Sequence, residues 1–145
     1  MDEQAVVAWI SALAGIEVVE DQGDQYFFAG STQPVNNRLP FATVMTADRY
    51  DKVSHLDREG VYRLNIGVSP ATYRARFGPE PFSKDAAASG HDFAALDTIM
   101  PHPVYGSMFW LCVLNPGEAT FAEVQPLLEE ARRVALERAR RAHRA

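Results

Sequence analysis

One cysteine, Cys112, stands in a chain of 145 residues. A lone thiol forms no intramolecular disulfide and supplies no zinc framework, so neither device is expected here. Long apolar runs are missing as well; none approaches the ~20 residues of a membrane span. Met1 is followed by Asp2 and Glu3 rather than by a basic and then apolar leader, so a cytoplasmic location is the expectation. Residues 1–30 hold six acids and no lysine or arginine. Familiar catalytic signatures are absent too. No glycine-rich loop ends in Gly-Lys-Ser/Thr, and there is no G-x-G-x-x-G, no G-x-S-x-G and no H-E-x-x-H. P-loop hydrolysis, Rossmann redox chemistry and α/β-hydrolase chemistry therefore lose their usual support.

What is present suits one soluble α+β domain over residues 1–145. Hydrophobic residues make up 47% and charged residues 23%, and a chain of this length buries a core without staples. Three helices carry start or stop signals. Asp2 caps a first helix in which Ala5, Val6, Trp9, Ile10 and Leu13 share a face, and Gly15 offers a left-handed stop. Ser69 and Pro70 open a second helix carrying Tyr73 and Phe77, and Gly78-Pro79 closes it. Thr120 and Glu123 have the spacing of a capping box ahead of Phe121, Val124, Leu128, Ala131 and Ala135. Pro126 falls inside that third helix.

Strand patterns fill the intervals. Residues 16–20 and 25–29 flank "DQGD" and read as a hairpin. "FATVMTA" (41–47) is β-branched and apolar. "VYRLNIG" (61–67) alternates Tyr62, Leu64 and Ile66 with Val61, Arg63 and Asn65, a strand with one wetter face. "MFWLCVL" (108–114) is apolar on both faces and reads as a covered strand. "KDAAASG" reads as a surface loop and "HDFAALDTIM" (91–100) as a short helix. Turns this short between strands favour antiparallel pairing. The expected fold is a mainly antiparallel sheet with the N- and C-terminal helices packed on one side.

Candidate chemistry is sparse. His55, His91 and His102 lack the i, i+3 or i+4 partners that would present two imidazoles from one helix face, and no metal site is assigned. A hydrolase or metal enzyme built on His91, Asp97 and His102 is kept as an alternative, with no catalytic residue and no cofactor assigned. Cys112, inside "FWLCVL", is expected to be a buried filler rather than a nucleophile. Arg63 and Asn65 share a strand face, and the loop into Ser69 offers free helix amides where a small acidic ligand would sit. An ion pair of Arg63 with Asp51 or Asp57 competes with that reading. In "DTIMPHPVYGSMFW" (97–110) two prolines stiffen the chain around His102, and Tyr105 and Trp110 have polar tips suited to a wet cavity. The ligand-binding candidates are therefore Arg63, Asn65, His102, Tyr105 and Trp110. Arg132, Arg133, Arg138, Arg140 and Arg141 form a nucleic-acid alternative on the last helix. A net charge of −5 disfavours that partner, and the arginines scatter around the helix circumference.

Two blocks carry a resemblance. "FATVMTADRYDKVSHLDREGVYRLNIGVSPATYRARFG" and "HDFAALDTIMPHPVYGSMFWLCVLNPGEATF" resemble a bacterial family known only as a domain of unknown function. More distantly, "VYRLNIGVS" before a short helix and "YGSMFWLCVL" before "FAEVQPLLEEARRVA" are similar to MmcQ/YjbR-like proteins. That likeness implies a compact α+β fold often described as DNA-binding-like, although "HPVYGSMFW" is uncharged where lysines and arginines would be expected. Together these features point to a non-catalytic cytoplasmic module that binds a small ligand or a protein partner, and to no membrane.

Overall fold

A computed structural model describes residues 1–30, 39–79 and 91–144. Helix α1 (Glu3–Ser11) starts where Asp2 accepts the Ala5 N–H at 2.8 Å. It ends before Gly15, which takes a φ of 72° in the turn leading to β1. Strands β1 (Ile16–Asp21) and β2 (Asp24–Ala29) pair fully, with Asp21 opposite Asp24. The hairpin turn is thus only Gln22-Gly23, tighter than the four-residue "DQGD" turn. Both turn residues have positive φ, 55° and 90°, the backbone twist a two-residue hairpin requires.

Strands β3 (Ala42–Met45) and β4 (Arg63–Gly67) follow, then helix α2 (Pro70–Phe77). Ser69 caps α2 by accepting the Thr72 N–H, Pro70 occupies its first turn, and Gly78 closes it at a φ of 98°. Strands β5 (Met100–Pro101) and β6 (Trp110–Leu114) precede the long helix α3 (Glu118–Arg144). The six strands form one antiparallel sheet in the order β1-β2-β3-β4-β6-β5. The α+β architecture expected from the sequence is present, with helices at both ends of the chain.

Alternation divides the sheet into two unlike faces. Phe27, Ala42, Val44, Leu64, Ile66, Leu111 and Val113 point to one side. They pack with Val6 and Ile10 of α1, Tyr73 of α2, and Phe121, Val124, Leu128 and Ala131 of α3. The opposite face carries Thr43, Arg63, Asn65, Cys112 and Leu114. A second, smaller apolar cluster of Leu56, Phe93, Met100, Cys112 and Leu114 lies there under loops.

Three local expectations are corrected. Residues 91–100 hold no helix: Asp92 Oδ1 accepts the Ala94 N–H, Asp97 adopts a φ of 56°, and Met100-Pro101 forms the edge strand. Proline tolerates that position because an edge strand need not donate on both sides. The strand expected over 108–114 starts only at Trp110, because Gly106–Met108 winds into a 3-10 turn and Phe109 is left-handed at a φ of 68°. Finally, α3 begins at Glu118, so Thr120 lies inside its first turn and forms no capping box there. Asp97 caps the helix from across the fold, accepting the Gly117 N–H at 2.7 Å. That amide and the Thr120 hydroxyl hold the Asp97 carboxyl below the usual carboxylate range. The "KDAAASG" loop lies outside the described residues.

Candidate functional site

Arg63 enters the loop-covered face from the first residue of β4, a strand flanked by β3 and β6. A guanidinium there is 3% exposed and must be paired to remain charged. Asp51 provides a bidentate partner, at 2.8 Å to Nη2 and 3.1 Å to Nη1. Ser54 Oγ accepts from Nη1 at 3.0 Å, and Asn65 Oδ1 accepts from Nε at 2.9 Å. Asn65 then donates to Thr43 Oγ1 at 2.9 Å. The polar chain runs across two strands, β3 and β4, and into the loop between them. Burial alone would raise the Asp51 carboxyl, but the hydrogen bonds and charge of Arg63 bring it below its ordinary value. Of the two acids weighed as its partner, Asp51 is chosen; Asp57 instead accepts the Asp48 N–H.

The loop carrying Asp51 is itself anchored. Asp24, buried at the hairpin turn, accepts from the Thr46 N–H and hydroxyl and pairs with Arg49 at 2.8 Å. Further along, Arg58 donates to the carbonyls of Ser54, His55 and Ala94. These contacts fix where Asp51 and Ser54 meet Arg63, and they turn Arg49 away from that network.

His102 approaches from the other side, on the loop before β6. Its backbone N–H donates to the Trp110 carbonyl at 3.0 Å, and its carbonyl accepts from Gly106 at 2.9 Å. Its Nδ1 accepts the N–H groups of Val104 and Tyr105 at 3.0 and 2.9 Å. The imidazole thus does what an Asn or Asp side chain does in a turn, with Pro103 presetting the backbone between. Two donors at Nδ1 assign the remaining proton to Nε2. Among the described residues nothing accepts from that Nε2–H. Burial first, and then the Arg63 charge, push the His102 pKa down to about 3, against a smaller opposing pull from Asp51. The ring is therefore neutral across the physiological range.

Arg63, Asn65, His102, Tyr105 and Trp110 all line one cleft of about 420 Å3. Thr43, Asp51 and Tyr26 add polar groups, while Met45, Met108, Leu39 and Pro40 make the walls apolar. Tyr26 donates its hydroxyl to Tyr50 at 3.1 Å, and the pair closes one side. Trp110 is set by a glycine opposite it on β4: a Cβ on Gly67 would lie 2.8 Å from the indole Cε2. The indole therefore lies against bare backbone at Gly67. Leu39, Pro40, Met108 and Trp110 also line a second cavity of about 200 Å3 beside α3, so they partition the two.

Sequence reasoning missed Asp51's neighbour Ser54 and the wall residues Tyr26, Thr43, Met45 and Met108. The alternation of "FATVMTA" places Thr43 and Met45 on the face shared by Arg63 and Asn65, and that signal was available. The anion site expected at Ser69 is filled internally. Glu130 of α3 accepts from the Ser69 N–H at 3.1 Å and the Thr72 hydroxyl at 2.8 Å. Burial would raise the Glu130 carboxyl, but these hydrogen bonds hold it lowered.

The other candidates disperse. Asp97 is committed to capping α3, and His91 stacks near Phe93 at 5.8 Å between centroids. No cluster of three or more His, Cys, Asp or Glu side chains able to hold a metal occurs among the described residues. Cys112 is fully buried, and that burial pushes its thiol up to about 12. Arg132 donates to the Ala14 carbonyl at 3.1 Å, and Arg138 lines the smaller cavity. Arg140 and Arg141 each lie 3.9 Å from Glu137, and Arg133 is exposed beside Glu130. No helix among the described residues is long and apolar enough to cross a membrane.

A model of a protein family described as a family of unknown function, DUF6194, matches residues 1–144. No curated protein and no solved structure matches the chain.

Proposed function

Because the chain belongs to the DUF6194 family of unknown function, we propose a role from the cleft itself: a non-catalytic cytoplasmic module, acting as one domain, that binds a small molecule. The observation that carries this reading is the Nε2–H of His102, which no described residue accepts and whose ring lines a cleft of about 420 Å3. Ligand sites are of this size, mostly apolar, with a few convergent polar groups. A ligand acceptor at that N–H would contribute about 0.5–1.5 kcal/mol, the net of a hydrogen bond exchanged for one to water. A neutral, low-pKa imidazole is a poor general base near pH 7, which supports binding over acid–base catalysis.

The alternative partner, another protein, would use the cleft's exposed rim, where Leu39 is 76% and Tyr50 65% exposed. Nucleic-acid binding through the arginines of α3 remains the weaker alternative, because those side chains share no face with the cleft network. A bacterial origin rests on the two sequence blocks quoted above, and kinship with MmcQ/YjbR-like proteins on the three shorter stretches quoted after them.

A small-molecule fragment panel tests the reading, with NMR of the indole Nε1–H groups of Trp9 and Trp110 as readout. Saturable shifts at Trp110, with Trp9 unmoved, are expected for some fragments. A panel that leaves Trp110 unmoved throughout removes the proposal.

A further inference from the structure

The cleft's two best-defined surfaces specify a chemical class of ligand. The first is a flat apolar plate. With Cε2 and Cζ2 of Trp110 within 2.9 Å of where a Gly67 Cβ would be, the indole is held against the sheet. The same ring lines the cleft. A rigid ring held against backbone and lining a cleft offers a platform for stacking another flat ring. Pro40, Tyr105 and Met108 stand around the same space.

The second surface is a directed donor. His102 is only 2% exposed, and both hydrogen bonds at Nδ1 fix the ring, so Nε2–H has one orientation. The matching ligand atom is an acceptor. The charges nearby favour the same sign: at both His102 and Cys112 the Arg63 guanidinium outweighs the paired Asp51. The charge nearest His102 is thus that of Arg63, itself paired with Asp51. An ammonium or other cationic ligand would meet both a donor and an unfavourable field.

We propose that the cleft binds a flat aromatic molecule bearing an oxygen acceptor, carbonyl or carboxylate. Its ring lies against Trp110 and its oxygen accepts from His102 Nε2–H. The inference rests on the small-molecule reading of this cleft and narrows it to one class.

The test uses the full chain, 15N-labelled, and four probes: 2-naphthamide, 2-naphthoate, 2-methylnaphthalene and decahydronaphthalene-2-carboxamide. The amide or the carboxylate should shift the Trp110 indole resonance saturably and leave Trp9, packed edge-on to Phe121 at 5.5 Å, in place. The hydrocarbon should bind about tenfold more weakly, the loss of one hydrogen bond in a buried site. The saturated amide should lose a similar factor, because it cannot stack. Tighter binding of naphthoate than naphthamide identifies a carboxylate ligand, and the reverse identifies a neutral carbonyl. Either result supports the class.

Equal binding of hydrocarbon and amide overturns the acceptor requirement, and equal binding of the saturated amide overturns stacking. If none of the four binds while other fragments shift Trp110, the class is wrong and the small-molecule reading survives. His102→Phe adds a check, with naphthamide dropping to the hydrocarbon's affinity. Because that substitution also removes the Nδ1 turn cap, the probe ladder on the unaltered chain decides the question if the variant does not fold.

Discussion

The two faces of the sheet are built by opposite rules. On the helix side, Phe27, Val44, Leu64, Ile66, Leu111 and Val113 meet α1, α2 and α3 in a continuous apolar core. On the loop side, the same strands present Thr43, Asn65 and a buried Arg63–Asp51 pair, with His102 across a cleft. Burying an ion pair and an imidazole gives less stability than the hydrocarbon that would fill the same space. The difference separates a face closed by hydrocarbon from one built on a polar network around a cleft.

Four measurements would sharpen or break that division. The largest effect is expected on the helix side. Phe121, 1% exposed and edge-on to Trp9, should cost about 3–5 kcal/mol when replaced by alanine, measured by denaturant unfolding. Its variant should leave the Trp110 and His102 signals in place. If they move, the two faces are one cooperative unit and the division fails.

Acid should act mainly through the loop side. His102 titrates near 6.5 when unfolded and at about 3 when folded, so the unfolded chain takes up its proton first as pH falls. The stability contributed is complete above pH 6.5 and drains as pH drops toward 3, a loss on the order of 4 kcal/mol. Asp51, with a lowered pKa, adds a further loss only below its ordinary carboxylate value. A stability curve flat between pH 7 and 5 would contradict the buried, neutral imidazole.

Next in size is Asp51→Asn, which strands the Arg63 charge in a site 3% exposed and should cost about 3 kcal/mol. Replacing both partners, Asp51→Asn with Arg63→Met, should recover most of that loss in thermal unfolding. A double variant no better than the single would mean the network, rather than the pair, carries the cost. The smallest effect is Gly67→Ala, about 1–3 kcal/mol, since the new methyl meets the Trp110 ring. Its readout is Trp110 fluorescence and probe affinity, both of which should change with Trp9 unaffected.

Much of the helix side was legible in the sequence, because hydrophobic periods and caps are local. Asp2, Ser69 with Pro70, and Gly78 sit where their chemistry places them. The loop side was only half legible. The five cleft residues were nameable from strand alternation and the proline-flanked histidine. Their convergence depends on contacts between distant segments, such as Asp24 with Arg49 and Arg63 with Asp51. The same limit explains the errors. Thr120 and Glu123 look like a cap, but Asp97 supplies it from twenty residues upstream. "HDFAALDTIM" has helical spacing, but tertiary pairing with β6 draws its end into an edge strand. Phe109's left-handed backbone is invisible to periodicity, and it sends Phe109 toward Tyr73 while Trp110 joins the cleft.

Cys112 gives the protein a clock. Its thiol is sealed beneath the cleft between Met100 and Asn65, its neighbours across the sheet, and it stays protonated at neutral pH. A thiol reagent can reach it only when the loop-covered face opens, so the labelling rate at this single sulfur counts those openings. A bound ligand would slow that clock in proportion to its occupancy, making the chain its own reporter without any added probe.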